Sequence, residues 1–153
     1  MYFTLDLKIA LHQQLNAILE EKINAVRVAM QETSESMKND TKSSAGDKFE
    51  TGREMMQIEL NNQQMQLGKL LDLQKDISKI ELDKAHAAIA FGSLVKSSMG
   101  FYFVSVAMGK IDMDGSAYYA LSLASPIGKA LKDKRVADVV TFQGKSIEIL
   151  ELV

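Results

Sequence analysis

Asn39–Gly46, with the sequence NDTKSSAG, separates two long stretches that have the apolar spacing of α-helices. Apolar residues recur at alternating steps of three and four from about Leu5 to Met37, and again from Phe49 to about Asp83. A stripe of this period favours packing against one partner helix. Because the intervening polar segment is short, the two helices should pack antiparallel as neighbours. We therefore predict an N-terminal two-helix coiled-coil hairpin.

Two apolar stripes define the seam predicted for this hairpin. Both widen towards the base of the hairpin and thin towards its tip. The first stripe comprises Leu5, Ile9, His12, Asn16, Leu19, Ile23, Val26, Met30, Thr33 and Met37, widened by Leu11, Leu15 and Ile18. The second comprises Phe49, Met56, Leu60, Gln63, Leu67, Leu70, Gln74 and Ile77, widened by Leu71, Leu73 and Ile80.

The composition changes from Ile89 onward to short apolar runs rich in β-formers and glycine. Five runs indicate strands, and the last two flank Gln143-Gly144-Lys145 as a terminal hairpin. Ser125 should cap a short helix that Pro126 begins. We predict an α+β protein, with the coiled-coil hairpin in residues 1–85 and a small antiparallel sheet with one short helix in residues 86–153. The five runs are residues 90–95, 101–106, 118–123, 139–142 and 147–152.

Charge and composition exclude several classes of protein. The 153 residues carry a formal net charge of −2, whereas a nucleic-acid coat protein would need a clustered basic face. The chain has no cysteine, so it holds no disulfide, thiolate metal site or cysteine nucleophile. No uncharged apolar run approaches the roughly 20 residues of a membrane span. We expect a soluble cytoplasmic protein.

Two acidic residues, Asp47 and Glu50, follow the polar segment directly. Their spacing of three lets both side chains project from one face of the first turn of the second helix. Two carboxylates at an exposed tip bind Mg²⁺ weakly on their own, but they can complete a site that another protein partly supplies. The same pattern also fits a capping box with acidic residues at a helix N-terminus. Spacing alone leaves both interpretations open.

The other candidate residues do not form a catalytic site in the sequence. His12 lacks a ligand-spaced partner and is expected in the helix seam, and His86 is expected at the surface. The charged segment Lys132–Arg135 follows a helix and is expected to be a solvated cap. There is no glycine-rich phosphate loop, nucleophile elbow or zinc-type spacing.

The second half of the chain resembles the C-terminal domain of the bacterial Gre transcript-cleavage factors. Ser122–Leu131, SLASPIGKAL, resembles that family's S-x-x-S-P-[IL]-[AG]-x-A-L signature. The following segment resembles its G-K-x-x-G-D-x-V pattern, with Asp133 and Ala137 where glycine is usual. Phe91–Val95 looks like the family's opening strand, and the terminal hairpin looks like its closing one. The resemblance implies an FKBP-like fold for this domain.

The predicted tip resembles the same family in part. The family has G-D-[LIF]-x-E-N-A-E-Y, and this chain has GDKFETGRE over Gly46–Glu54. Asp47 and Glu50 therefore fall where the family places its two tip carboxylates. The apolar residue has moved by one place to Phe49, and the N-A-E-Y run is replaced.

The resemblance implies a function that the chain would exert through a partner. Gre factors dock on RNA polymerase and insert the coiled coil into its secondary channel, where the tip carboxylates help to hold a second Mg²⁺ against the 3′ end of backtracked nascent RNA. By this resemblance Asp47 and Glu50 would be the Mg²⁺ ligands, shared with the polymerase active site, and the chain alone would be neither an enzyme nor a stable binder of the ion. We expect a monomer. The polymerase-docking motif would comprise Ser122, Ser125, Pro126 and Ile127, with Ala124 where members often carry Asn or Asp.

Three alternatives remain open at the level of sequence. A secondary-channel regulator without cleavage activity would share the fold and the partner. An FKBP-like prolyl isomerase would need an aromatic-lined pocket. A structural protein would self-associate through the seam of the hairpin. The rings available to an isomerase pocket are Phe101, Tyr102, Phe103, Tyr118 and Tyr119.

Overall fold

The computed structural model describes residues 3–43 and 47–153, and it does not describe the side chains of residues 40–49. Two long helices, α1 (Leu5–Ser43) and α2 (Asp47–Ser78), precede six strands and one short helix, α3 (Pro126–Leu131). The predicted α+β class is confirmed. The chain forms two compact units, Ala17–Lys75 and the combination of Met1–Asn16 with Asp76–Val153. These units group residues that contact one another, whereas the predicted domains, residues 1–85 and 86–153, divide the chain at a single point in the sequence.

The unit Ala17–Lys75 is a pair of helices with a thin seam. Its buried side chains are few. Of the predicted stripe of α2, Leu71 is exposed, and the half-buried members are Met56, Leu60, Leu67, Leu70, Leu73 and Gln74. Gln74 also donates a hydrogen bond of 2.5 Å from Nε2 to Glu20 Oε1 across the pair. The buried residues of the seam are Leu19, Ile23, Val26 and Gln63.

The connection between the helices is shorter than predicted. Helix α1 continues to Ser43, so Asn39–Ser43, which we expected in the loop, is helical. No glycine or proline interrupts this stretch, so the helix can continue through it although Asn, Asp and Thr are weak helix formers. The remaining predicted loop residues, 44–46, lie outside the described part of the chain.

At the base of α1 the residues predicted to widen the stripe are buried more deeply than the stripe itself. Leu11 and Leu15 are fully buried, as is Leu7, which was not predicted, whereas Leu5 and Ile9 are only half-buried. This part of α1 belongs to the compact unit that contains the sheet. The burial of Leu7 therefore reflects packing in that unit, which the spacing of a two-helix seam does not encode.

The sheet has the strand order β3-β4-β2-β1-β6-β5. All neighbouring strands are antiparallel except β2 and β4, which pair in parallel, so the prediction of an antiparallel sheet was wrong at this pair. The reason is the unpredicted strand β3, which reverses the chain once more before β4 returns beside β2. The strands are β1 (Leu94–Ser97), β2 (Gly100–Val104), β3 (Gly109–Met113), β4 (Ser116–Leu121), β5 (Val139–Phe142) and β6 (Lys145–Leu152).

Two tight turns fix the register of the sheet's hairpins. Asp114 and Gly115 join β3 to β4 with φ of 51° and 79°, and Gln143 and Gly144 join β5 to β6 with φ of 51° and 75°. Positive φ at both central residues matches the twist of the flanking strands. The predicted terminal hairpin is confirmed.

One face of the sheet carries a buried apolar cluster, against which residues of α3 pack. Ile127 and Ala130 lie against this cluster, and Leu131 of the same helix is a fully buried member of it. Helix α3 is thereby held on the sheet by its apolar side, while its first residue, Pro126, remains exposed. The cluster comprises Ile89, Val95, Tyr102, Val104, Leu121, Leu131, Val140 and Ile149.

Candidate functional site

The predicted acidic pair lies at the start of α2. The helix begins at Asp47, and Glu50 follows within its first turn with an exposed side chain. Carboxylates are favoured at this end because the helix dipole and the unpaired N–H groups are positive there. The side chain of Asp47 lies outside the described part of the chain. The backbone therefore brings the two residues onto one helical turn, as the spacing predicted.

A shallow depression of about 290 Å³ surrounds Glu50 and is lined by Arg53, Glu54 and Gln57. Arg53 forms no ion pair with Glu50 or Glu54 among the described side chains. The cation nevertheless lies on the next turn, so the electrostatic field beside Glu50 is less negative than two carboxylates alone would make it.

The donor set at this end suits a shared Mg²⁺ site and does not suit a complete one. Mg²⁺ prefers six oxygen ligands and usually keeps several waters, so one or two carboxylates supply only part of its shell. No group of three or more potential metal ligands occurs among the side chains that the structure describes. The residues therefore fit the ion if the rest of its shell comes from elsewhere.

The Ser-Pro motif forms the N-terminal cap of α3, as predicted. Ser125 Oγ accepts a hydrogen bond of 3.1 Å from Gly128 N–H, and Pro126 occupies the first helical position. The Ser125 hydroxyl donates in turn to the carbonyl of Ser122 at 2.6 Å. Ser122 Oγ accepts from Ala124 N–H at 3.0 Å. The two serines thus bond to the main chain of their own segment.

Gly128 is required by the close approach of α3 to the residues before it. A Cβ at this position would overlap the carbonyl oxygen of Ser122 and would lie 2.8 Å from Leu123 Cα. Both neighbours are backbone atoms and have no rotamer with which to move away. The glycine of the motif therefore has a structural explanation.

The four residues predicted to dock differ in accessibility. Pro126 is exposed, Ser122 and Ser125 are half-buried in the cap, and Ile127 packs against the core cluster of the sheet. A docking partner would meet Pro126 first, together with the exposed Ala124. Changes at Ile127 would affect folding as well as binding.

The two histidines have hydrogen-bond partners in the helix-base and sheet unit. His12 bonds through Nε2 to the carbonyl of Ile77 at 3.0 Å, which agrees with its expected place in the seam. His86 is half-buried rather than at the surface, and its Nδ1 lies 2.6 Å from Ser93 Oγ. Ser93 Oγ also accepts a hydrogen bond from Ala90 N–H, so this hydroxyl links His86 to the main chain. Burial, followed by the positive charge of Lys8, lowers the pKa of His86 below 6.5.

Two of the five rings considered for an isomerase pocket line one described cleft of the sheet unit. Phe101 and Tyr118, with centroids 5.0 Å apart, line a cleft of about 360 Å³ together with Phe3. Tyr102 and Phe103 are buried in the sheet, and Tyr119 is exposed. This cleft is also lined by Lys96, Asp114 and Glu151, so it is not an apolar pocket.

One polar position in the hairpin was not predicted as a site. Gln63 was counted as a member of the apolar stripe, and it is indeed buried, with 8% of its surface exposed. It lines two adjoining cavities of the helix pair, of about 490 and 620 Å³. An amide among apolar seam positions was the available signal, since a buried polar side chain needs hydrogen-bond partners.

Within the described residues, no helix combines the length and the apolar character needed to cross a membrane. A scan against protein-family models gives no match to this chain, and a search of the curated proteins gives none either.

Proposed function

We propose that this protein is a Gre-like elongation factor that binds RNA polymerase in its secondary channel and stimulates hydrolysis of backtracked RNA. The single observation that carries the proposal is the position of the helix boundary. Helix α2 begins at Asp47, which puts Asp47 and Glu50 in one turn at the end of a long pair of helices. From Ala17 to Ser43, helix α1 extends over roughly 40 Å at 1.5 Å per residue.

The chain's own contribution to the reaction would be to present carboxylate oxygens. Glu50 is exposed and carries no described ion pair, so it can approach a partner's site without first breaking a contact. When bound, a second Mg²⁺ would stabilise the charge that develops during in-line attack of water on the phosphodiester. Asp47 and Glu50 would contribute ligands and orient that water, and the polymerase would supply the remaining groups.

The Ser-Pro motif supports the proposed docking mainly through what it leaves exposed. Ser125 and Gly128 hold the cap of α3 in one conformation, so Pro126 and Ala124 are presented on a fixed backbone. A preorganised turn binds with a smaller entropy loss than a mobile one. We therefore expect Pro126→Ala to weaken polymerase binding without unfolding the protein.

The test is cleavage of labelled RNA in backtracked complexes of the cognate polymerase with Mg²⁺. Wild-type protein should shorten the RNA from its 3′ end, and Asp47→Asn and Glu50→Gln should each abolish the stimulation. Glu54→Gln removes an equal charge one turn further along α2 and serves as the matched control. Binding of all variants should be nearly unchanged, because the tip supplies catalysis and the cap of α3 supplies affinity.

Two results would reject the proposal. Equal cleavage with wild type and with Asp47→Asn/Glu50→Gln would remove any role for the acidic pair beyond helix capping. Loss of polymerase binding in the same variant would make the tip a docking element.

A second candidate, a secondary-channel regulator that slows nucleotide addition without cleavage, is favoured by Arg53. Its guanidinium lies one turn from Glu50, and a cation opposes the binding of a second metal ion. If this candidate is correct, wild-type protein should inhibit elongation and leave the RNA uncut. Arg53→Ala should then restore cleavage if the cation alone prevents it.

A further inference from the structure

The face of the sheet opposite the apolar cluster carries a row of side chains that are partners across four strands. Lys96 of β1 is paired with Glu151 of β6 and with Phe101 of β2. Phe101 is paired in turn with Tyr118 of β4. Partners in neighbouring strands lie side by side on one face of a sheet. Because Tyr102, the neighbour of Phe101, belongs to the apolar cluster, the row lies on the other face.

A cleft of about 360 Å³ is lined by every residue of this row. Phe3 and Leu7, from the N-terminal end of the chain, line the same cleft. Asp114 and Ser116, from the hairpin that joins β3 to β4, add polar groups to the lining. All of these residues belong to the compact unit that contains the sheet. The volume falls at the lower end of the range of small-molecule sites, roughly 300–1,000 Å³.

Aromatic rings form a continuous part of the wall of this cleft. The ring centroids of Phe101 and Tyr118 lie 5.0 Å apart, and those of Phe3 and Phe101 lie 6.3 Å apart. Such rings offer apolar contact area, and their faces carry partial negative charge that attracts a cation. The wall therefore suits a ligand that combines an apolar body with a positive charge.

The charged groups of the cleft leave one carboxylate without a described partner. Lys96 Nζ lies 3.4 Å from Glu151 Oε2, so the charges of this pair compensate each other. Asp114 forms no ion pair with a described cation. The turn holds it in place, since Asp114 with φ of 51° and Gly115 with φ of 79° form the two-residue connection. The uncompensated charge of the lining is therefore negative.

The hydroxyl of Tyr118 adds a hydrogen-bond acceptor to this wall. Tyr118 is a buried residue, with 5% of its surface exposed, and its hydroxyl has no hydrogen-bond partner among the described residues. Unlike Gln63 Oε1, this oxygen is not enclosed by protein atoms. Ser116 lies on the same face two residues earlier in β4. A phenol and a serine hydroxyl can each accept a hydrogen bond from an N–H donor.

We propose that this cleft binds a small organic cation, with its ammonium group beside Asp114 and its apolar or aromatic body against the rings of Phe101 and Tyr118. An anion is disfavoured, because the lysine of the lining already pairs with Glu151. A neutral ligand would gain nothing from the charge of Asp114 or from the attraction of the ring faces for a cation. The inference stands apart from transcript cleavage, since it uses none of the residues assigned to the acidic pair or to the cap of α3.

The experiment is an NMR titration of the full-length ¹⁵N-labelled protein with 2-phenylethylammonium and with 2-phenylethanol. The two probes have the same ring and carbon chain and differ only in the charged group. The ammonium probe should shift the amide signals of Phe101, Asp114 and Ser116. The alcohol should bind about tenfold more weakly, because it forms neither an ion pair with Asp114 nor a cation–π contact with the rings.

Protein variants separate this site from general attraction to an acidic protein. Asp114→Asn keeps the turn, because Asn-Gly is a pair that this type of turn strongly favours. It should weaken binding of the ammonium probe about fivefold. Phe101→Leu keeps an apolar side chain but removes the ring face, and it should weaken binding by a similar factor.

Glu148→Gln is the matched control for the loss of charge. It removes an equal charge from a residue of the same compact unit that does not line the cleft, and it should leave binding unchanged. Equal binding of the two probes, equal effects of Asp114→Asn and Glu148→Gln, or no shifts at millimolar ammonium probe would overturn the proposal.

Discussion

Replacing Ala137 with glycine should stabilise the sheet. Ala137 has φ of 76°, in the left-handed region where the Cβ crowds the backbone, and its side chain is exposed. The conformation is imposed by the sheet, because Ala137 N–H donates to Ile149 O at 2.8 Å and Ile149 N–H donates to Asp138 O at 2.9 Å. The alanine side chain therefore contributes strain and little packing.

The magnitude follows from two opposing terms. A non-glycine residue in this region costs roughly 1–2 kcal/mol, and glycine costs roughly 0.4–1 kcal/mol through the entropy of the unfolded chain. Near the middle of these two ranges, the net gain in unfolding free energy for Ala137→Gly should be roughly 0.5–1 kcal/mol, or about 1–4 °C in Tm for a chain of this size. Asp133, with φ of 66°, should gain less, because aspartate tolerates this region better than alanine.

Urea unfolding followed by tyrosine fluorescence measures the stability of the compact unit that contains Ala137. The chain has four tyrosines and no tryptophan, and none of the tyrosines lies in Ala17–Lys75. Ala107→Gly is the matched control, because Ala107 is also exposed but does not have a positive φ, so this change should destabilise. If Ala137→Gly stabilises no more than Ala107→Gly, the strain argument is wrong.

Four further substitutions test the packing and the buried ionisable groups. Gly128→Ala should destabilise by about 3 kcal/mol in urea unfolding because its Cβ would overlap backbone, whereas Gly68→Ala, in open space on α2, should stabilise by up to about 1 kcal/mol. Burial lowers the pKa of Lys8 below 10.5, so at pH values between the lowered pKa and 10.5 the unfolded chain binds more protons than the folded one. The unfolding free energy of the wild type should therefore rise with pH in that range. Lys8→Met should remove that gain, and an unchanged slope would exclude Lys8 as its source. Because the pKa of His86 is lowered, the unfolded chain binds a proton below pH 6.5 that the folded chain does not, and the wild type should lose unfolding free energy there. His86→Asn should make the plot of unfolding free energy against pH flatter below pH 6.5.

The helices and their seam were predictable because helical periodicity is local information. The predicted stripe of α2 is buried or half-buried from Met56 to Ile77. The burial of Leu7 at the base of α1 was not predictable in the same way, because Leu7 is buried in a unit that also contains residues distant in sequence. Lys8 is the extreme case: a fully buried lysine whose Nζ donates to the main-chain oxygens of Lys84 and Val153 cannot be anticipated from spacing.

The missed strand had a local signal that we did not use. Asp114-Gly115 between two β-rich runs is a strong indication of a two-residue hairpin, and the structure has it there. Recognising that turn would have predicted β3, but not the parallel pairing of β2 with β4. That pairing is decided by which edge of the sheet the chain returns to, which is a long-range property.

The candidate sites differ in how far sequence reasoning could reach them. The cap at Ser125 was predictable because the Ser-Pro pair acts on its own helix turn. The buried, unpaired acceptor of Gln63 was not, because it is enclosed only after both helices have packed. Ser93 and His86 likewise become partners through folding and not through a recognisable spacing.

The hydrogen bonds and packing of the Ser-Pro motif explain its residues without any partner, so its resemblance to the Gre signature is weak evidence about function. Ser122, Ser125 and Gly128 are all explained by the cap and by the close approach of α3, and Ile127 is explained by the core. A motif whose residues satisfy local hydrogen bonds and packing would be retained by any protein with this fold, whatever it binds. The motif is therefore evidence about the fold, and the functional proposal depends on the residues that the cap leaves exposed and on the acidic pair at the start of α2. Variants of exposed residues such as Pro126 and Glu50 consequently carry more information about function than variants of Ser122 and Ser125, whose loss would disturb the cap itself.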